Sequence, residues 1–117
     1  MAIFEVDSWV ICKGKQKEQE AIMREVFDYG KKHPKISKYV KSLRFFRQGI
    51  GGTPVGRYVL ITEFESLAEM ENFYSVLEKD EEWLKIKKKW NSIIDLKTMN
   101  VALWSDKVRE LWVEKCK

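Results

Sequence analysis

Histidine occurs once in this 117-residue chain, and cysteine and proline twice each. Each scarcity removes a class of chemistry. The lone His33 cannot furnish a two-histidine metal site, and neither Cys12 nor Cys116 is accompanied by a histidine in a nucleophilic arrangement. His33 precedes Pro34, so it reads as a cation at a helix end or as a loop residue, with haem ligation left open. The cysteines lie near opposite ends without metal-type spacing, so no disulfide framework is expected, and Cys12 reads as a buried free thiol in an apolar strand. No run approaches the roughly 18 apolar residues of a membrane span, and the first residues lack the basic, apolar, small-residue order of a signal peptide. The expected location is the cytoplasm, without a membrane partner.

What is present describes one globular domain: 44% hydrophobic and 34% charged residues. A net charge of +4 invites a nucleic-acid reading. Lysines and glutamates are interleaved almost throughout, however, and a solvated lysine surface explains the same charge.

The organising stretch runs from Leu43 to Phe73. Leu43-Arg44-Phe45-Phe46-Arg47 and Arg57-Tyr58-Val59-Leu60-Ile61-Thr62-Glu63-Phe64 are rich in aromatic and β-branched residues, and the glycine-rich Gly49–Gly56 break separates them. That pattern predicts an antiparallel hairpin. Because a strand follows the break, it is not read as a phosphate loop, which needs a helix directly after it. Ser66-Leu67-Ala68-Glu69 is a capping box opening a helix with a Met70, Phe73, Tyr74, Leu77 stripe. Asp80 offers a second N-cap, and Trp83, Ile86, Trp90, Ile93 and Ile94 continue at helical spacing. Before the hairpin, residues 3–12 predict a strand and Gln16 to about Lys32 an amphipathic helix carrying Ile22, Met23, Val26 and Phe27. In that first strand the even positions are mostly apolar and are assigned to the helices, which leaves the odd face, with Glu5, Asp7 and Trp9, towards something wetter. Thr98–Trp104 supplies the last strand, and residues 106–117 a C-terminal helix or arm after a domain spanning 1–105.

This order predicts an α+β, ferredoxin-like βαββαβ domain: a four-stranded antiparallel sheet ordered 4-1-3-2 with helices on one face. The other face would then carry Trp9, Phe46, Tyr58, Phe64 and Trp104, with Phe45 and Val59 as alternatives should the strand phase differ by one. So much exposed aromatic surface marks an interface or a ligand site.

The segments Arg44–Gly51 and Val59–Glu69 resemble the NIPSNAP-like branch of the dimeric α/β barrel superfamily, as do Lys79-Asp80-Glu81-Glu82-Trp83 with Trp90 a heptad on. The resemblance implies a homodimer through the open sheet face, enclosing a pocket for a small hydrophobic or aromatic molecule. Relatives of that kind include cofactor-independent monooxygenases, haem-degrading enzymes and lactone isomerases. The haem-degrading ones carry an asparagine, a tryptophan and a histidine at positions similar to Asp7, Phe64 and Lys87, so no haem and no other cofactor is expected. What remains is Asp7 as base or polariser with Arg44 as its anion partner, or else Asp7 as a strand-end carboxylate paired with Arg44, Arg47 or Arg57.

The pocket lining expected is Glu5, Trp9, Phe46, Tyr58, Thr62, Phe64, Asn100 and Trp104. A small-molecule-binding protein follows, a cofactor-independent monooxygenase or isomerase if it is catalytic, with a non-catalytic ligand-binding or assembly role as the alternative. An RNA-recognition module shares the element order. It would need stacking aromatics where this chain has Val59 and Ile61, so no nucleic-acid partner is expected.

Overall fold

The computed structural model describes residues 2–49 and 56–106. Along the chain run β1 (Ile3–Ile11), α1 (Gln16–Lys32), α2 (Pro34–Ser37), β2 (Val40–Arg47), β3 (Tyr58–Phe64), α3 (Leu67–Leu77), α4 (Glu81–Ile93) and β4 (Ile94–Ser105). The strands form one sheet ordered β2-β3-β1-β4, with each adjacent pair antiparallel. The predicted sheet order is the observed one, and the fold is ferredoxin-like.

Local chemistry explains most boundaries. Ser66 accepts a hydrogen bond from Glu69 N–H at 3.2 Å, and Asp80 accepts one from Trp83 N–H at 3.1 Å. These two caps start α3 and α4 separately. Pro34 does more than end α1: it takes the first position of α2, a single turn, where its missing N–H costs nothing. Strand β4 begins at Ile94, directly where α4 stops, so Ile94 belongs to the sheet and not to the helical stripe. A bulge between Ser8 and Val10 interrupts the β1–β4 ladder. The Thr98 hydroxyl patches it by accepting from Val10 N–H at 2.8 Å.

The strand phase reverses the expectation. Antiparallel partners share a face, and the register pairs Glu5 with Thr62, Asp7 with Leu60 and Trp9 with Tyr58. All of these lie under the helices. Trp9, Tyr58 and Phe64 are core residues, and Trp9 stacks with Phe45 and Tyr58 and meets Trp90 edge-on at 5.0 Å. The even residues Phe4, Val6, Ser8 and Val10 take the open face, beside Ile61, Val59, Ala102, Trp104 and Phe46. On that face Phe46 is 49% and Trp104 59% exposed, as expected of those two.

Cys12 also departs from expectation. Strand β1 ends at Ile11, so Cys12 opens the turn into α1 and is exposed. Cys116, the tail at 107–117 and residues 50–55 of the glycine-rich break lie outside the described residues.

Candidate functional site

Between the sheet and its helices lies a cavity of about 490 Å³. Its floor is Glu5, Asp7, Leu43, Leu60 and Thr62 of the sheet; its walls include Val26, Phe27 and Tyr29 of α1, Phe73, Tyr74 and Leu77 of α3, and Trp83 and Trp90 of α4. Pro34, Ile36 and Ser37 of α2 edge it, with Lys31 at the end of α1. The volume falls within the range of small-molecule sites, and the lining is mostly apolar around a few polar groups, as such sites are.

Those polar groups converge at the floor. Glu5 and Asp7 are two apart on β1 and therefore point to the same side. Glu5 is 7% exposed, and Tyr74 donates its hydroxyl proton to that carboxylate, with both oxygens 2.6 Å away. Burial, then the negative charge and hydrogen bonding of Glu5, push the Tyr74 phenol far above its ordinary range, so it remains a proton donor. Asp7 Oδ1 is buried and has no hydrogen-bond partner among the described residues. Desolvation, followed by the neighbouring Glu5 carboxylate, pushes Asp7 up to about 8 from 3.8. A carboxyl group in this state can give or take a proton near neutral pH.

The arginine partners expected for Asp7 are elsewhere. Arg44 pairs with Ile61 across β2 and β3, which sets it on the open face with the sheet between it and Asp7. Arg57 is also drawn away: it donates to Ser8 Oγ at 3.2 Å and to Thr98 O at 3.1 Å. Of the expected lining, Glu5 and Thr62 reach the cavity with Asp7. Trp9, Tyr58 and Phe64 fill the core instead, and Phe46, Asn100 and Trp104 sit on the far side of the sheet. The sequence pattern places the pocket on the open face, whereas this cavity is on the helix side.

Helical spacing alone places Tyr74 in the apolar stripe of α3. The signal available in the sequence was chemical: a tyrosine on a buried helix face needs a partner for its hydroxyl, and β1 carries two acids. His33 lies outside the cavity lining, with Nε2 2.8 Å from Glu82 and its ring 4.3 Å from that of Tyr29. Tyr29 in turn donates to Asp80 at 2.7 Å, which ties α1 to the start of α4 along one wall. Among the described residues, no three His, Cys, Asp or Glu side chains come together as a metal site. None of the described helices is long and apolar enough to cross a membrane.

No protein-family model matches the chain, and no curated protein matches it in sequence. Solved structures do match in fold. A NIPSNAP family protein from Agrobacterium tumefaciens superposes with a TM-score of 0.71 at 19% identity, over 90% of this chain and 92% of that one. SnoaB, a cofactor-independent oxygenase from Streptomyces nogalater, gives 0.63 at 12% identity, over 89% of this chain and 91% of its own. A dimeric protein of unknown function with a ferredoxin-like fold, from Bacteroides fragilis, gives 0.59 at 8% identity, covering 89% and 95% respectively. The fold is thus that of NIPSNAP proteins and of a cofactor-independent oxygenase.

Proposed function

We propose that the protein binds a small hydrophobic or aromatic compound in the helix-side cavity and acts on it by proton transfer at Asp7. The observation that carries this reading is the buried, unpartnered Asp7 Oδ1 facing an apolar cavity beside the Glu5–Tyr74 pair. Oxygen insertion without a cofactor and isomerisation share a first step, removal of a proton from a weakly acidic O–H or C–H group of the substrate. Asp7 is the base for that step. Glu5, held by Tyr74, keeps the proton affinity of Asp7 high, and the apolar walls exclude water from the resulting anion. Arg44 has no part in it. The likeness to a cofactor-independent oxygenase supports this class of chemistry at the level of fold alone.

The test is turnover of a panel of quinols and lactones, with oxygen uptake recorded, by wild type and by Asp7→Asn and Asp7→Ala. General-base loss lowers kcat by about 10²–10⁴-fold, and the wild-type rate rises with pH towards about 8 as Asp7 deprotonates. Unchanged rates in both variants remove Asp7 from catalysis. Native mass spectrometry of the freshly purified protein identifies any small molecule that travels with it.

For the assembly, the reading is a homodimer through the open sheet face. The exposed Phe46 and Trp104 support it, as does the dimeric Bacteroides fragilis protein of like fold.

A further inference from the structure

A second, smaller cavity of about 120 Å³ lies at the other end of α1, bounded by the last residues of β1, the end of β2 and the start of β3. Its volume corresponds to about four liquid waters. Tyr58 lines it at 1% exposure, and the Tyr58 hydroxyl has no hydrogen-bond partner among the described residues. A buried hydroxyl of this kind is normally satisfied, and the space beside it has room for a bound polar group to do so.

The surroundings say which group. Arg47, Lys13 and Gln16 line the same space. Neither Arg47 nor Lys13 takes part in an ion pair among the described residues. Gln16 is the first residue of α1, a 17-residue helix whose N-cap, Lys15, provides no side-chain cap. The first intrahelical bond runs from Gln19 N–H to Lys15 O at 2.9 Å, so the amides of Gln16, Lys17 and Glu18 precede it and carry the positive end of the helix dipole. Burial pushes the Tyr58 phenol up, so its hydroxyl stays protonated and can donate; of the charges near it, Arg47 favours negative charge and Glu20 disfavours it.

We propose that this cavity binds a phosphate group, held by the Tyr58 hydroxyl, the Arg47 guanidinium and the Lys13 ammonium beneath the N-terminus of α1. Donors arriving from β3, β2, the β1–α1 turn and the helix end surround the space. That arrangement suits the several oxygens of a tetrahedral anion better than the two coplanar oxygens of a carboxylate. The site is separate from the larger cavity and does not depend on proton transfer at Asp7.

Calorimetric titration with inorganic phosphate and with phenyl phosphate, at ionic strength held constant with chloride, tests it. Wild type is expected to bind one equivalent, and Tyr58→Phe and Arg47→Gln each to weaken binding about tenfold. Tyr58→Phe removes a single oxygen and keeps the ring stacked on Phe45 and Trp9, and circular dichroism checks that both variants are folded. Tighter binding of phenyl phosphate supports a phosphomonoester as the ligand, and equal or weaker binding supports free phosphate. Absence of binding by either compound at millimolar concentration, or the same affinity in all three proteins, overturns the proposal.

Discussion

Asp7 carries a proton that the unfolded chain gives up. Its folded value of about 8 lies above the ordinary 3.8, so between those two pH values the folded state binds more protons than the unfolded one. Stability contributed by this group is therefore full below about pH 4 and falls as the pH rises to 8. Asparagine at this position cannot ionise. Urea denaturation from pH 5 to pH 9 should show wild type losing stability relative to Asp7→Asn, by an amount on the order of a few kcal/mol. Parallel pH profiles would mean that Asp7 is solvated and ordinary. The sequence pointed to Asp7 but not to its surroundings. Carboxylates two apart beside a tryptophan read as a wet face, because counting apolar residues cannot reveal a tyrosine approaching from a helix 69 positions away.

At the scale of elements, the features written in short-range chemistry were legible. The Ser66 and Asp80 caps and the split between α3 and α4 were all readable, since each depends on residues three positions apart. Ser66→Ala should cost about 1 kcal/mol in chemical denaturation, through loss of the hydrogen bond to Glu69 N–H. No measurable change would mean that α3 is held by packing alone. The phase of β1 was not legible. Both of its faces mix polar and apolar side chains, and the choice between them is made by the long-range stack of Trp9 on Tyr58, Phe45 and Trp90. The expected strand over Thr98–Trp104 grew at its start for a similar reason: Ile94 pairs with Ile11 of β1, a contact that helical periodicity through Ile93 and Ile94 concealed.

At the scale of the whole molecule, the open face carries two exposed aromatic side chains, Phe46 and Trp104. Phe46→Asp combined with Trp104→Asp should shift the protein from dimer to monomer in light scattering at micromolar concentration, with the fold retained because neither side chain is in the core. A wild type that is monomeric under the same conditions would refute assembly through this face. Sheet order and helix layering were readable from the order of the elements. The side of the sheet holding the large cavity was not, because it follows from the phase of β1.

That phase has one more consequence. The strand that anchors the hydrophobic centre through Trp9 also holds two acids out of water, at Glu5 and Asp7. On the proposed role of Asp7, heat tolerance and chemistry compete for the same nine-residue segment. A laboratory selection for survival at high temperature should favour uncharged replacements at position 7 early, and the sturdier proteins it yields should be chemically mute.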